Sequence, residues 1–151
     1  MRIYLDVSCL NRPFDDQRQT RVRLEAEAVI LIFEQAELER WTLVSSEMAV
    51  IEVDAISDAV RQARVRLLLP ESPHVRKLGE VTFRRAAGLE TLGFKPADAV
   101  HLAAAEELNV DVFLSCDDRL CRLAKRRRQQ LRLEVANPLE WLKEIGDDAD
   151  A

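Results

Sequence analysis

Four acidic residues stand where separate secondary-structure elements are expected to begin or end, and together they outline one kind of chemistry. Asp6 closes the apolar run of Tyr4-Leu5-Asp6-Val7-Ser8, where a first strand should hand over to a loop. Glu52 lies in SSEMAVIE, Asp98 in KPADAVHLAAA and Asp117 in FLSCDD. Carboxylates drawn together from distant parts of a chain repel one another unless a cation or a proton intervenes. Their oxygens suit a hard divalent ion such as Mg²⁺ or Mn²⁺. The chain offers few other catalytic options, with only two histidines.

Each acid also has a plainer reading. Asp98 would favour the positive end of a helix merely by standing in its first turn. Asp117 and Asp118 are ordinary N-cap residues. Asp6, at the end of a buried strand, and Glu52, among Val50, Ile51 and Val53, have fewer structural reasons to be there. The coincidence of all four is what favours a site. Ser8 and Asn11 are placed to orient the Asp6 carboxylate or an attacking water, or simply to form the turn. Arg12, beside them, is a candidate phosphate contact. His101 is expected as a hydrogen-bonded core histidine, and the basic run 125–128 as a solvated helix end.

Composition narrows the class. With 151 residues, 48% apolar and 32% charged, the chain reads as one soluble domain over 1–146, followed by an acidic, disordered tail at 147–151. The longest apolar run, 29–33, falls far short of the roughly 20 residues of a membrane span. No signal-peptide pattern opens the chain, so cytoplasmic residence is the expectation. Three cysteines and two histidines argue against both a disulfide framework and a thiolate zinc site. Cys9 and Cys116 read as small buried apolar residues. A net charge of -5 speaks against a generic electrostatic binder of nucleic acid, but not against an enzyme acting on one.

The elements that must position these residues alternate. Residues 2–6 read as a strand. A capping box at Asp16 and Gln19 precedes a helix carrying Val22, Ala26, Val29, Phe33 and Ala36 at helical spacing. A strand over 41–44 leads to a helix capped by Ser45 or Ser46 and running past Ile56. Pro70 and Pro73 precede a helix over 74–92, closed by Gly93. Pro96 opens the next helix. A strand over 110–115, a helix over 118–127 and a strand over 131–135 follow, and a last helix after Asn137-Pro138 ends near Ile145. Such alternation predicts an α/β fold, a parallel sheet with helices on both faces. Ligands bind beyond the carboxyl ends of the strands in sheets of that kind, where Asp6 and Asp117 fall.

From YLDVSCLNRP through SSEMAVIE and FKPADAVHLAAA to DVFLSCDDRL, nearly the whole chain resembles a PIN domain, a family of metal-dependent nucleases that includes the VapC-type toxins. The resemblance implies a three-layer α/β/α sandwich around a parallel sheet. It implies an acidic site formed by Asp6, Glu52, Asp98 and Asp117, with Mg²⁺ or Mn²⁺ held by Asp6, Asp98 and Asp117. It also implies hydrolysis of RNA, an antitoxin protein as partner where the chain is the toxin of a VapBC-type pair, and a homodimer. Ser8 matches the small hydroxyl residue two places after the first aspartate. Asp118 stands where the family often has a basic or polar residue, which leaves open which member of the Asp117/Asp118 pair faces the metal. A catalytically silent PIN-like module that binds RNA or protein is the alternative. A haloacid-dehalogenase-type phosphatase would want an aspartate two residues after Asp6, and Ser8 occupies that place.

Overall fold

The structure, a computed structural model, describes residues 1–150, with side chains through Gly146. Five parallel strands form one sheet: β1 (Arg2–Leu5), β2 (Thr42–Ser46), β3 (Val75–Arg76), β4 (Val112–Leu114) and β5 (Glu134–Ala136). Their order is β3-β2-β1-β4-β5. The chain therefore builds outward from β1 in one direction, then returns to add β4 on its other side. That reversal puts the crevice between the ends of β1 and β4, the usual ligand position in such sheets.

Side chains alternate across β1 and divide the core into two layers. Ile3 and Leu5 point to one face with Val112 and Leu114; Tyr4 and Phe113 point to the other. The first face is covered by α1 (Val7–Asn11), α2 (Thr20–Glu37), α3 (Glu47–Asp54), α4 (Ala59–Arg66) and α8 (Pro138–Asp150), through Val29, Ile32, Val53, Val65 and Trp141. The second is covered by α5 (Glu80–Thr91), α6 (Pro96–Glu107) and α7 (Asp118–Arg126), through Leu89, Leu102, Ala103 and Leu120. Burying a side chain such as Ile3 or Leu114 contributes about 1.5–3 kcal/mol. This is the three-layer α/β/α sandwich expected. Among the described residues no helix is long and apolar enough to cross a membrane.

Several local expectations are corrected. A five-residue helix, α1, follows Asp6 where a loop was expected. Asp16 caps nothing: α2 starts at Thr20 behind Gln19, and Asp16 is engaged by Arg18. The helix after Ser46 breaks at Ala55, and Asp58 caps a separate α4 with bonds from the Val60 and Arg61 amides at 3.0 Å. The long helix expected over 74–92 begins only at Glu80, because Val75 and Arg76 pair with β2. Helix α8 continues past Ile145 to Asp150. The side chains of 147–150, and Ala151, on which the expected tail falls, lie outside the described residues.

Candidate active site

Asp6 holds the N-cap position of α1, yet its side chain makes no cap bond. Its backbone carbonyl accepts from the amides of Cys9 (2.8 Å) and Leu10 (3.3 Å), which leaves the carboxylate free for other work. Oδ2 accepts hydrogen bonds from Ser8 Oγ at 3.0 Å and Ser115 Oγ at 2.7 Å. Both hydroxyls accept a backbone amide in turn, Cys116 N onto Ser8 and Asp117 N onto Ser115, each at 3.0 Å. Those amides orient the hydroxyl protons toward Asp6. No hydrogen bond among the described residues reaches Oδ1. Burial raises the Asp6 carboxyl above its ordinary range, against the lowering effect of His101 and the two serines.

Asp98 stands in the first turn of α6, which Pro96 opens at N1. Burial, then the charges of Asp6 and Asp117, push its carboxyl up to about 6. Glu52 adds a smaller effect in the same direction. Asp6, Asp117 and Glu52 therefore all act electrostatically on Asp98. Asp117 does act as a cap, its Oδ1 accepting the amides of Arg119 (2.9 Å) and Leu120 (3.2 Å). Asp118 is turned outward into a two-pronged pair with Arg21. Of the two adjacent acids, Asp117 is the one that bears on Asp98.

Glu52 is joined to His101 Nε2, and His101 Nδ1 lies 2.6 Å from Tyr4 Oη. Tyr4 Oη also lies 2.7 Å from Ser46 Oγ, which caps α3 by accepting the Met48 amide. The chain Ser46–Tyr4–His101–Glu52 thus starts and ends on the same helix. His101 is 1% exposed and hydrogen-bonded on both ring nitrogens, a core histidine that also reaches the site. Burial would lower its pKa, but the Glu52 hydrogen bond and the charges of Asp6, Glu52 and Asp98 raise it on balance.

Asn11, a candidate to orient Asp6 or to form the turn, and Arg12, a candidate phosphate contact, are both engaged by other groups. Asn11 binds Val7 O and receives Arg61 Nη1. Arg12 is committed to Asp15 and to Glu25, a fully buried carboxylate that also holds Asn137. Residues 125–128 are exposed at the end of α7, the solvated helix end expected. Cys9 and Cys116 are buried with sulfurs 3.7 Å apart, and burial holds the Cys9 thiol well above its ordinary pKa. Sequence reasoning missed Ser115 and Tyr4. The signal for Ser115 was a hydroxyl between a buried strand and an aspartate; for Tyr4, a polar tip inside a buried strand.

The family model for the PIN domain matches residues 3–126. The chain belongs to the PIN domain family. All four acids lie inside the matched span. Solved structures share the PIN fold. FitAcB from Neisseria gonorrhoeae aligns with a TM-score of 0.58 at 18% identity, over 90% of this chain and 97% of that one. VapBC2 from Rickettsia felis, bound to a DNA fragment from its promoter, gives 0.58 at 12% identity over 91% and 98%. VapBC-1 from nontypeable Haemophilus influenzae gives 0.54 at 15% identity over 91% and 98%. No curated protein matches the chain.

The donor chemistry of this PIN domain suits a hard divalent cation, since Asp6, Asp98 and Asp117 offer only oxygen. The geometry is open rather than closed. Among the described residues no three His, Cys, Asp or Glu side chains stand at metal-binding spacing.

Proposed function

We propose that this PIN domain is a Mg²⁺- or Mn²⁺-dependent endoribonuclease, the toxin of a VapBC-type pair. One observation carries the reading: Asp6 is buried under two serine hydroxyls, and burial, together with the charges of Asp6 and Asp117, raises Asp98 to about 6. Carboxyl groups used only as caps or surface charges have no cause to share a desolvated crevice. Asp6, Asp98 and Asp117 are the residues that would hold the cation. When bound, it lowers the pKa of a water and neutralises charge on the attacked phosphate. Ser8 and Ser115 keep the Asp6 carboxylate in one orientation, so that its unbonded Oδ1 faces a partner without rearrangement. Glu52, steadied by His101, is placed to orient the attacking water. In-line attack on a phosphodiester would leave a 5′-phosphate and a 3′-hydroxyl.

The partner proposed beside RNA is an antitoxin protein. Two further proposals are a homodimer and residence in the cytoplasm. VapBC2, which shares the fold, is a complex on promoter DNA, and that supports the antitoxin reading. A second reading, a PIN module that binds without cutting, draws on the Glu52–His101 pair and the Asp117 cap, which occupy two of the four acids. One assay separates them. Purified protein should cleave RNA with Mg²⁺ or Mn²⁺ and stop in EDTA. Undiminished cleavage in excess EDTA would sink the metal mechanism, and binding without cleavage in either ion would favour the second reading.

A further inference from the structure

A site built from four acids repels the polyanion it is proposed to cut, so cations must stand beside it. Most nearby arginines are already engaged. Arg12 is held by Asp15 and Glu25, Arg21 by Asp118 and Glu25, and Arg61 by Asp15. The larger basic surface, Arg122, Lys125 and Arg128, lines a groove of about 610 Å³ whose lining also carries Glu134, Glu140 and Glu144. Those carboxylates cancel much of its attraction for phosphate.

Two cations remain. Lys95 and Arg119 line the same narrow crevice as Asp98 and Asp117, and both are exposed. Neither forms an ion pair among the described residues. Their backbones are well fixed. Lys95 precedes Pro96 in the extended conformation that a following proline imposes (φ -65°, ψ 152°). Gly93, at the positive φ of +106° that glycine adopts cheaply, turns the chain beside α7, where a Cβ would lie in ordinary contact, 3.5 Å from Leu123 Cδ2. Phe94 is buried beneath the turn. From the other side, the Arg119 amide is bonded to Asp117 Oδ1 at 2.9 Å.

We infer that Lys95 and Arg119 form a two-cation rim that binds the phosphates of a single-stranded nucleic-acid backbone as it passes across the mouth of the crevice at Asp98 and Asp117. The inference rests on the nuclease reading. The chemistry of the pair suits backbone rather than base recognition. Arginine presents a planar fork to phosphate oxygens and lysine a mobile point charge, and neither need read sequence. The acids would repel a strand that lacked this rim.

The test is the salt dependence of kcat/KM on single-stranded RNA with Mn²⁺. Each phosphate contact on a single strand contributes about 0.7 to the slope of log affinity against log salt. The double variant Lys95→Ala/Arg119→Ala should therefore flatten the wild-type slope by about 1.4 and raise KM by roughly tenfold or more. Lys95→Gln and Arg119→Gln should each remove about half of that slope, and Lys95→Arg should restore it. The pair Lys125→Ala/Arg128→Ala should move it less than either single change. Melting temperatures should match wild type, because both side chains are exposed. An unmoved slope in the double variant of an enzyme that cleaves RNA normally overturns the rim alone. So does a larger effect from the 125/128 pair. A wild type that cleaves no RNA with Mg²⁺ or Mn²⁺ overturns the nuclease reading, and the rim with it.

Discussion

Two neighbouring strands are each followed by an aspartate at a helix N-cap, and the two aspartates behave differently. Asp117, after β4, spends Oδ1 on the Arg119 and Leu120 amides. Asp6, after β1, makes no cap bond and takes two serine hydroxyls instead. The cap position therefore does not decide the role. Helix length explains part of the contrast: α7 has nine residues, whereas α1 has five and leads directly into a further turn. Position in the sheet explains the rest. Asp6 follows the central strand and is 7% exposed, so its charge is costly unless it is used.

The largest effect that would sharpen this contrast is on cleavage. Asp6→Asn should lower kcat/KM by roughly 100-fold or more, because it removes a charged ligand but little volume. Asp117→Asn should also lower activity strongly while leaving the melting temperature nearly unchanged, since asparagine caps as well as aspartate. Asp117→Ala should add a stability loss of about 1 kcal/mol to the same activity defect. Asp118→Asn should do far less to cleavage, as it loses only the exposed pair with Arg21. Activity falling more for Asp118→Asn than for Asp117→Asn would reverse the assignment of the two acids.

A smaller effect is expected at Ser115. Ser115→Ala deletes the shorter of the two hydroxyl bonds to Asp6, and titration with Mn²⁺ should show affinity weakened by about 10- to 100-fold. Unchanged affinity would mean that the serines only fasten the strand ends.

The smallest effect is on stability without metal. The Asp98 carboxyl lies near 6 in the folded chain against 3.8 ordinarily. For a raised acid, stability is lost as pH climbs through the ordinary value, and the loss levels off above the folded one. In EDTA the melting temperature should fall between about pH 4 and pH 6, and Asp98→Asn should flatten that fall. The gain at neutral pH should be on the order of 1 kcal/mol, discounted for the partial solvation of the group. Added Mn²⁺ should raise the wild-type melting temperature by mass action, and Asp98→Asn should lose most of the rise. An Asp98→Asn protein with an intact Mn²⁺ response would make Asp98 a helix-end charge only.

What the sequence discloses and what it hides follow from the range of the forces involved. Pro96, Gly93 and Ser46 act within one turn of chain, and each was legible because its effect is local. Asp6, Asp98 and Asp117 were legible because strand ends and helix starts can be read from periodicity, and Glu52 because it is an acid among apolar neighbours. Strand β3 has two residues, too few to carry a pattern, and exists only because β2 is there to pair with. Asp16 looked like a cap, but its pairing with Arg18 competes with that role. Arg12 looked free because its partner Glu25 is 13 residues away and buried by packing that the sequence does not display. Ser115 was hidden for the same reason: its bond to Asp6 spans 109 residues.

The chain of hydroxyls behind Glu52 has one more consequence. A hydroxyl both gives and receives, so the bonds Ser46–Tyr4–His101 can run in either direction with every heavy atom in place. Running toward His101, Tyr4 donates to Nδ1, and a neutral ring donates from Nε2 to Glu52. Running away, a charged ring donates at both nitrogens and Tyr4 passes its proton toward Ser46. The two states differ by one proton on the imidazole and by the rotation of two hydroxyls. The imidazole can take up or release a proton at Nδ1 with its Nε2 bond to Glu52 kept, while Tyr4, buried in the central strand, keeps the ring still.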